Sequence, residues 1–265
     1  MLPPKSDERG AVSAVERRSG PVLPWLIAGS AVATAWVVWR RMQQPYYPSV
    51  ALQAGLEMVG RRWRVLAIGP HPGDLELFAG GTLRLLSQNG SAVTLAVLSR
   101  GEQATNRANI GEIRAREAEQ AATILRAELV QLDLPDGGIR PGPELERALD
   151  ELWARTRPEL VLAFDPKGPT PLAQNPDHLA LGAAVLARAR SSVWRGERIY
   201  FYAARQPNVL VDITEVLQEK LNAVKAHRSQ LLGPDWAVDS FGRFVSRLYS
   251  GRVPALYTEA FYRLV

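Results

Sequence analysis

Histidine and cysteine, the side chains that most often hold metals or move protons, are scarce in this chain of 265 residues. There are three histidines, His71, His178 and His227, and no cysteine. Without cysteine there are no disulfides, iron–sulfur clusters, thiolate zinc sites or cysteine nucleophiles. His71 and Asp74 stand three residues apart in Gly69-Pro70-His71-Pro72-Gly73-Asp74-Leu75-Glu76, where both can turn toward one point. His178 lies in Asn175-Pro176-Asp177-His178, just after a later loop. Two imidazoles and one carboxylate make a three-ligand set with open positions, which suits a catalytic zinc that keeps a water for chemistry. Non-haem iron takes similar ligands, so ligand type alone leaves the metal open.

These residues need a scaffold, and the apolar runs supply one. RVLAIG (64–69), AVTLAVLS (92–99), ELVQLDL (128–134), ELVLAFD (159–165), RIYFYAA (198–204) and NVLVDI (208–213) read as strands. Helical patterns fall between them over 76–88, 111–127, 144–157 and 177–190, and an amphipathic helix follows over 214–231. This alternation predicts an α/β fold: a Rossmann-like, mostly parallel sheet with helices on both faces. In such sheets ligands bind at the carboxyl ends of the strands, where the segments carrying His71 and His178 fall.

Residues 1–64 carry nine Lys and Arg against four Asp and Glu, whereas residues 65–265 carry 23 of each. The net charge of +5 therefore belongs to the N-terminal segment, and no nucleic-acid partner is expected for the main domain. After a polar tail (1–20) comes an uncharged run, Pro21 to Trp39, closed by Arg40 and Arg41. As a helix it would span roughly 28 Å, close to the ~30 Å hydrocarbon core of a bilayer. Trp25 near one end and Trp36 and Trp39 near the other suit the two interfaces. The long polar leader and the Trp-Val-Val-Trp sequence argue against a cleaved signal peptide. The expected organisation is a polar tail (1–20), a single transmembrane anchor (21–41), a linker (42–63) and one domain (64–265). Three arginines flank the run on its N-terminal side and two on its C-terminal side, a count too even to orient it, and the side of the domain stays open with a lean to the cytoplasm.

His71-Pro72-Gly73-Asp74 with Gly80-Gly81-Thr82, followed by Asn175-Pro176-Asp177-His178, resembles the LmbE-like (PIG-L) N-acetylglucosaminyl deacetylases. Arg114 and Glu117, His227-Arg228-Ser229-Gln230 and Glu259-Ala260-Phe261 agree, so the resemblance runs over about 64–263. It implies metal-dependent removal of an acetyl group from a glucosamine-containing conjugate, with one divalent ion, Zn2+, held by His71, Asp74 and His178. It also implies that Asp177 orients a ligand histidine and that Arg114 contacts the substrate.

Two positions depart from the family pattern. Gly73 stands where the family has its general-base aspartate, and Asn175 where it has a histidine that stabilises the oxyanion or supplies a proton. Losing general-base help costs ~10²–10⁴-fold in rate, while Asn175 still offers a hydrogen-bond donor. Glu76, two residues beyond Asp74, is the candidate replacement, against the plainer reading of a carboxylate favoured by a helix N-terminus. Asp165, before a proline, reads as a turn former. His227 reads as a surface or capping residue of the amphipathic helix, still eligible for proton transfer by its near-neutral pKa. Two functions follow: a weakened deacetylase, or a non-catalytic relative that binds metal and a sugar conjugate. No G-x-G-x-x-G, Walker or G-x-S-x-G motif supports a dinucleotide binder or a serine hydrolase.

Overall fold

The computed structural model describes residues 52–168, 175–191, 194, 198–231 and 233–264. In chain order the elements are β1 (Gln53–Ala54), α1 (Leu56–Val59), β2 (Arg64–Gly69), α2 (Asp74–Gln88), β3 (Ala92–Val97), α3 (Ile110–Leu125), β4 (Glu128–Gln131) and α4 (Pro143–Thr156). There follow β5 (Leu160–Phe164), α5 (Pro176–Arg190), β6 (Arg198–Tyr202), β7 (Val209–Asp212), α6 (Leu217–Ala226), α7 (Asp235–Arg247) and β8 (Thr258–Arg263). They build one eight-stranded sheet in the order β1-β7-β8-β6-β5-β2-β3-β4. Every neighbouring pair is parallel except those made by β8, which runs antiparallel to both β6 and β7.

The strand side chains alternate between two cores, as period-2 geometry requires. Val65 and Ala67 of β2 join Leu160, Leu162 and Phe164 of β5 beneath α2, α3 and α6. Leu66 and Ile68 point the other way, to Val161 and Ala163, beneath α4 and α5. Burial on both faces explains why these strands read as unbroken apolar runs. The expected α/β sheet with helices on both faces is therefore present, mostly parallel as read and mixed only through β8. Within the stretch 42–63, the described part supplies β1, which pairs with β7, and the buried side chains of Met58 and Trp63.

Three features depart from the sequence reading. The expected helix over 214–231 is α6 flanked by two short 3-10 turns, and it ends at His227. The cause is Ser229, whose backbone N–H and hydroxyl both donate to the Glu117 carboxylate of α3 at 2.7 Å, pulling the chain out of the helix. Helix α7 and strand β8 lie where no element is expected. In β8 the apolar alternation is disguised by a buried Glu259, whose carboxylate accepts from Lys220 Nζ (2.7 Å) and from the backbone N–H groups of Gly81 (2.9 Å) and Thr82 (2.7 Å). Gly81 is needed where α2 meets β7's exit, since a Cβ there would come within 2.7 Å of Ile213. The expected anchor over 21–41 lies outside the described residues, and among those described no helix is long and apolar enough to cross a membrane.

Candidate active site

Strands β2 and β5 are neighbours, yet the chain leaves β2 for α2 on one face and β5 for α5 on the other. This divergence opens a crevice at the carboxyl ends of the strands, the usual ligand position in doubly wound sheets. His71 sits in the loop after β2, and Asp74 is the first residue of α2. His178 lies in the first turn of α5, which Asn175 caps by accepting the Asp177 N–H at 2.9 Å, with Pro176 at the helix start. Phe164 at the end of β5 stacks on the His178 ring, centroids 4.2 Å apart, and fixes its plane.

Three donor atoms converge there. His178 Nε2 lies 3.0 Å from Asp74 Oδ2, His71 Nδ1 lies 3.4 Å from the same oxygen, and the two ring nitrogens are 3.3 Å apart. Metal–ligand bonds of about 2.0–2.1 Å at a tetrahedral angle subtend ligand separations of roughly 3.3–3.4 Å. The triangle therefore fits a small divalent ion with no rearrangement beyond a few tenths of an ångström, and the donor set of two imidazoles and a carboxylate suits zinc. Such an ion would supply Lewis-acid polarisation of a carbonyl and acidification of a water.

The far side of the His71 ring explains its orientation. Nε2 faces Asp136 Oδ1 at 3.0 Å and Asp177 Oδ2 at 3.2 Å. Asp177 is fully buried and also accepts from the Gly137 N–H (2.7 Å) and from Arg140 (3.3 Å). Asp136 Oδ2 accepts from the Gln103 N–H at 2.8 Å. Carboxylates on this side favour the Nε2–H tautomer and leave the Nδ1 lone pair for a metal. Burial pulls the His71 pKa down, but the hydrogen bond and charge of Asp74, with Asp136 and Asp177, outweigh it and hold the ring above its ordinary value. Burial pushes Asp74 up, yet hydrogen bonds and charge from His178 and His71 win and keep it ionised far below the usual carboxylate range.

Of the other expected residues, Arg114 is buried and spends its guanidinium on two backbone carbonyls, Gly101 O (2.8 Å) and Pro72 O (2.7 Å). It thereby ties the ligand loop to the loop after β3, and it also lines the adjoining cavity. Asp165 accepts from the Lys167 N–H at 2.8 Å, the turn role its sequence suggests. Gly73 has φ +99°, a conformation that L side chains rarely adopt. Beside it opens a cavity of about 410 Å³, lined by the ligand loop, Arg114, α6 and α7. Its wall is largely apolar, with Leu77, Val224, Leu231, Val238 and Phe241. His227 caps the C-terminal end of α6, one of the two roles expected of it, but it also faces this cavity and is only 3% exposed, which corrects the expectation of a surface residue. Its Nε2 lies 3.4 Å from Glu76 Oε2. Asp136 was not foreseen as a site residue, because an aspartate in Pro135-Asp136-Gly137-Gly138 carries no signal beyond a turn.

A doubly wound α/β domain with a His–Asp–His cluster at its switch point defines the class: an α/β protein whose crevice brings together three side chains able to hold a metal ion. Within that class, residues 66–189 match the family described as PIG-L: GlcNAc-PI de-N-acetylase. The chain is 31% identical over 188 residues to a probable N-acetyl-alpha-D-glucosaminyl L-malate deacetylase 2 of Bacillus cereus, covering 63% of this chain and 83% of that one. It is 29% identical over 212 residues to the diacetylchitobiose deacetylase of Thermococcus kodakarensis, covering 72% and 78%. It is also 29% identical over 192 residues to a 4-oxalmesaconate hydratase of Pseudomonas putida, covering 62% and 73%. The fold matches that of the N,N'-diacetylchitobiose deacetylase from Pyrococcus horikoshii, with a TM-score of 0.71, 24% identity and coverage of 88% and 92%. The chain belongs to the PIG-L (LmbE-like) family.

Proposed function

We propose that this protein is a metal-dependent hydrolase that removes the N-acetyl group from a glucosamine-containing conjugate. The observation that carries the reading is the triangle of His71 Nδ1, Asp74 Oδ2 and His178 Nε2, beside a cavity of about 410 Å³ that opens past Gly73. Two of the relatives above are named as deacetylases of N-acetylglucosamine-type compounds, which supports the substrate class. Zn2+ is the proposed ion, on the grounds of the donor set and the separations. In this reading Asp136 and Asp177 hold the His71 tautomer, and Arg114 holds the Pro72–Gly73 backbone in place. Asn175 lies at the same edge; its side-chain oxygen is used in capping, which leaves its amide N–H₂ as the group able to donate to a polar substrate. Most of the cavity wall is apolar, which suits a conjugate whose second half is not a sugar.

Acetate release is the deciding assay. Full-length protein loaded with Zn2+ is expected to release acetate from diacetylchitobiose or from an N-acetylglucosaminyl conjugate. His178→Ala is expected to lose most of its metal and its turnover together, since two ligands remain. Retention of one ion per chain in His178→Ala would overturn the ligand assignment. Hydration of 4-oxalmesaconate without any acetate release would replace the deacetylase reading with that of the hydratase relative. Metal binding with neither activity would leave the protein a sugar-conjugate binder.

For the segment before the described residues, we propose a single-pass membrane anchor over 21–41, motivated by its uncharged run and flanking arginines. The domain is proposed to lie on the cytoplasmic side.

A further inference from the structure

We propose that His227, aligned by Glu76, takes the proton in this chain in place of the family's aspartate; the inference rests on the deacetylase reading above. A Cβ built on Gly73 would lie 3.6 Å from His227 Cγ, 3.7 Å from Cδ2 and 3.9 Å from Nδ1. The imidazole therefore flanks the spot from which an aspartate at position 73 would reach into the cavity. His227 is 3% exposed, and neither ring nitrogen makes a hydrogen bond among the described residues, although both are buried. A buried polar group without a hydrogen bond is costly, and each one in a native protein calls for an explanation, a catalytic role among them.

The surroundings hold the ring in place. The Glu76 carboxylate, on the first turn of α2, lies 3.4 Å from Nε2, which favours the Nε2–H tautomer and leaves the Nδ1 lone pair unused. The backbone is fixed on both sides: the His227 N–H donates to Val224 O at 3.2 Å, and the His227 carbonyl accepts the Gln230 N–H at 3.0 Å. The Ser229–Glu117 bonds then tie the whole turn to α3. Ring, carboxylate and backbone thus form an aligned pair beside the cavity that also reaches Asp74.

The proton balance is complete. As water oxygen bonds to the acetyl carbonyl carbon, its proton passes to His227 Nδ1. When the tetrahedral adduct collapses and the C–N bond breaks, the same proton passes to the leaving nitrogen, giving acetate and a free amine. His227 ends as it began. Glu76 does not exchange a proton with substrate; it is a positioning residue for the imidazole.

The test uses full-length, Zn2+-loaded protein and measures acetate release, metal content and thermal melting together. His227→Ala is expected to lower kcat by ~10²–10⁴-fold, with one ion per chain retained. Added imidazole is expected to recover part of that loss by entering the space the ring vacates, and to leave wild type unchanged. His227→Gln, which keeps the volume but takes no proton, is expected to fall equally and serves as the deciding variant if the alanine variant misfolds. Glu76→Gln is expected to lower kcat by a smaller factor with KM unchanged, and Glu76→Asp to restore part of it. His227→Gln with wild-type kcat and intact metal would overturn the inference alone. Loss of activity in His227→Ala without imidazole rescue and with loss of metal would make the residue structural, and also overturn it. Wild type that releases no acetate would overturn the deacetylase reading and this inference with it.

Discussion

Gly73 sits at the junction of backbone geometry and chemistry, and replacing it separates the two. Its φ of +99° lies in a region disfavoured by any Cβ, although the space itself is open, with the nearest neighbour atom 3.6 Å away. A side chain there costs about 1–3 kcal/mol of backbone strain. The loss of glycine's freedom in the unfolded chain returns about 0.4–1 kcal/mol. The net loss is then about 1–2 kcal/mol, or a fall in Tm of about 2–8 °C for a domain of this size. Gly73→Ala carries only the strain, and Gly73→Asp carries the same strain plus a carboxylate. Both are expected to melt at the same lowered temperature, measured on Zn2+-loaded protein by calorimetry. In acetate release, Gly73→Asp is expected to gain less than about tenfold, because His227 already takes the proton; a missing base would leave ~10²-fold or more to recover. An unchanged Tm for Gly73→Ala would refute the strain argument. A hundredfold faster Gly73→Asp would show that wild type lacks a competent base.

Lys220→Met is expected to cost about 3–5 kcal/mol in urea unfolding, because it leaves the buried Glu259 carboxylate without its cation. A Lys220→Met, Glu259→Gln double variant should recover part of that, and a single variant within 1 kcal/mol of wild type would count against the ion pair. The metal-free protein is expected to be most stable below neutral pH. His71 is held above its ordinary value, so its contribution is full in mild acid and lost as pH rises through the raised value. Asp74 is held low, so its contribution is lost only in strong acid. Melting curves against pH with and without Zn2+ should diverge progressively as pH rises, since the metal then replaces the proton. Full-length protein is expected to sediment with membranes and to resist salt extraction, and release by salt alone would reduce the 21–41 segment to a surface contact.

The convergence of His71, Asp74 and His178 was legible because few residue types hold metals, and each of the three follows a strand that reads clearly as buried. Asp136 was not, because its role depends on β4 lying two strands away from β2 in the sheet, which spacing along the chain does not encode. His227 does cap α6, as one of its two readings has it, but it is buried rather than on the surface; it falls three and four residues beyond the buried Val224 and Ala223, so the helical spacing itself pointed inward. Arg114 was expected at the substrate only through the family resemblance, and in the structure it lines the cavity while Nη1 and Nη2 donate to the Gly101 and Pro72 carbonyls. The parallel strands announced themselves as apolar runs. β8 did not, since a buried glutamate breaks its pattern, and that glutamate is intelligible only with Lys220 and the α2 backbone beside it.

The late position of β8 in the chain has a consequence for how the protein is made. On the ribosome, all three ligand residues have been synthesised once His178 has emerged, but β6 and β7 have no shared neighbour until Thr258–Arg263 follow. At ~5–20 residues per second that interval is on the order of ten seconds. During it the nascent chain holds β6 with one unpaired edge, and the Lys220 ammonium lacks the Glu259 carboxylate it is buried against. Exposed strand edges of this kind recruit other chains. Slowed translation between His178 and Thr258, or crowding of ribosomes on one message, should therefore lower the yield of soluble protein more than an equal delay before His178.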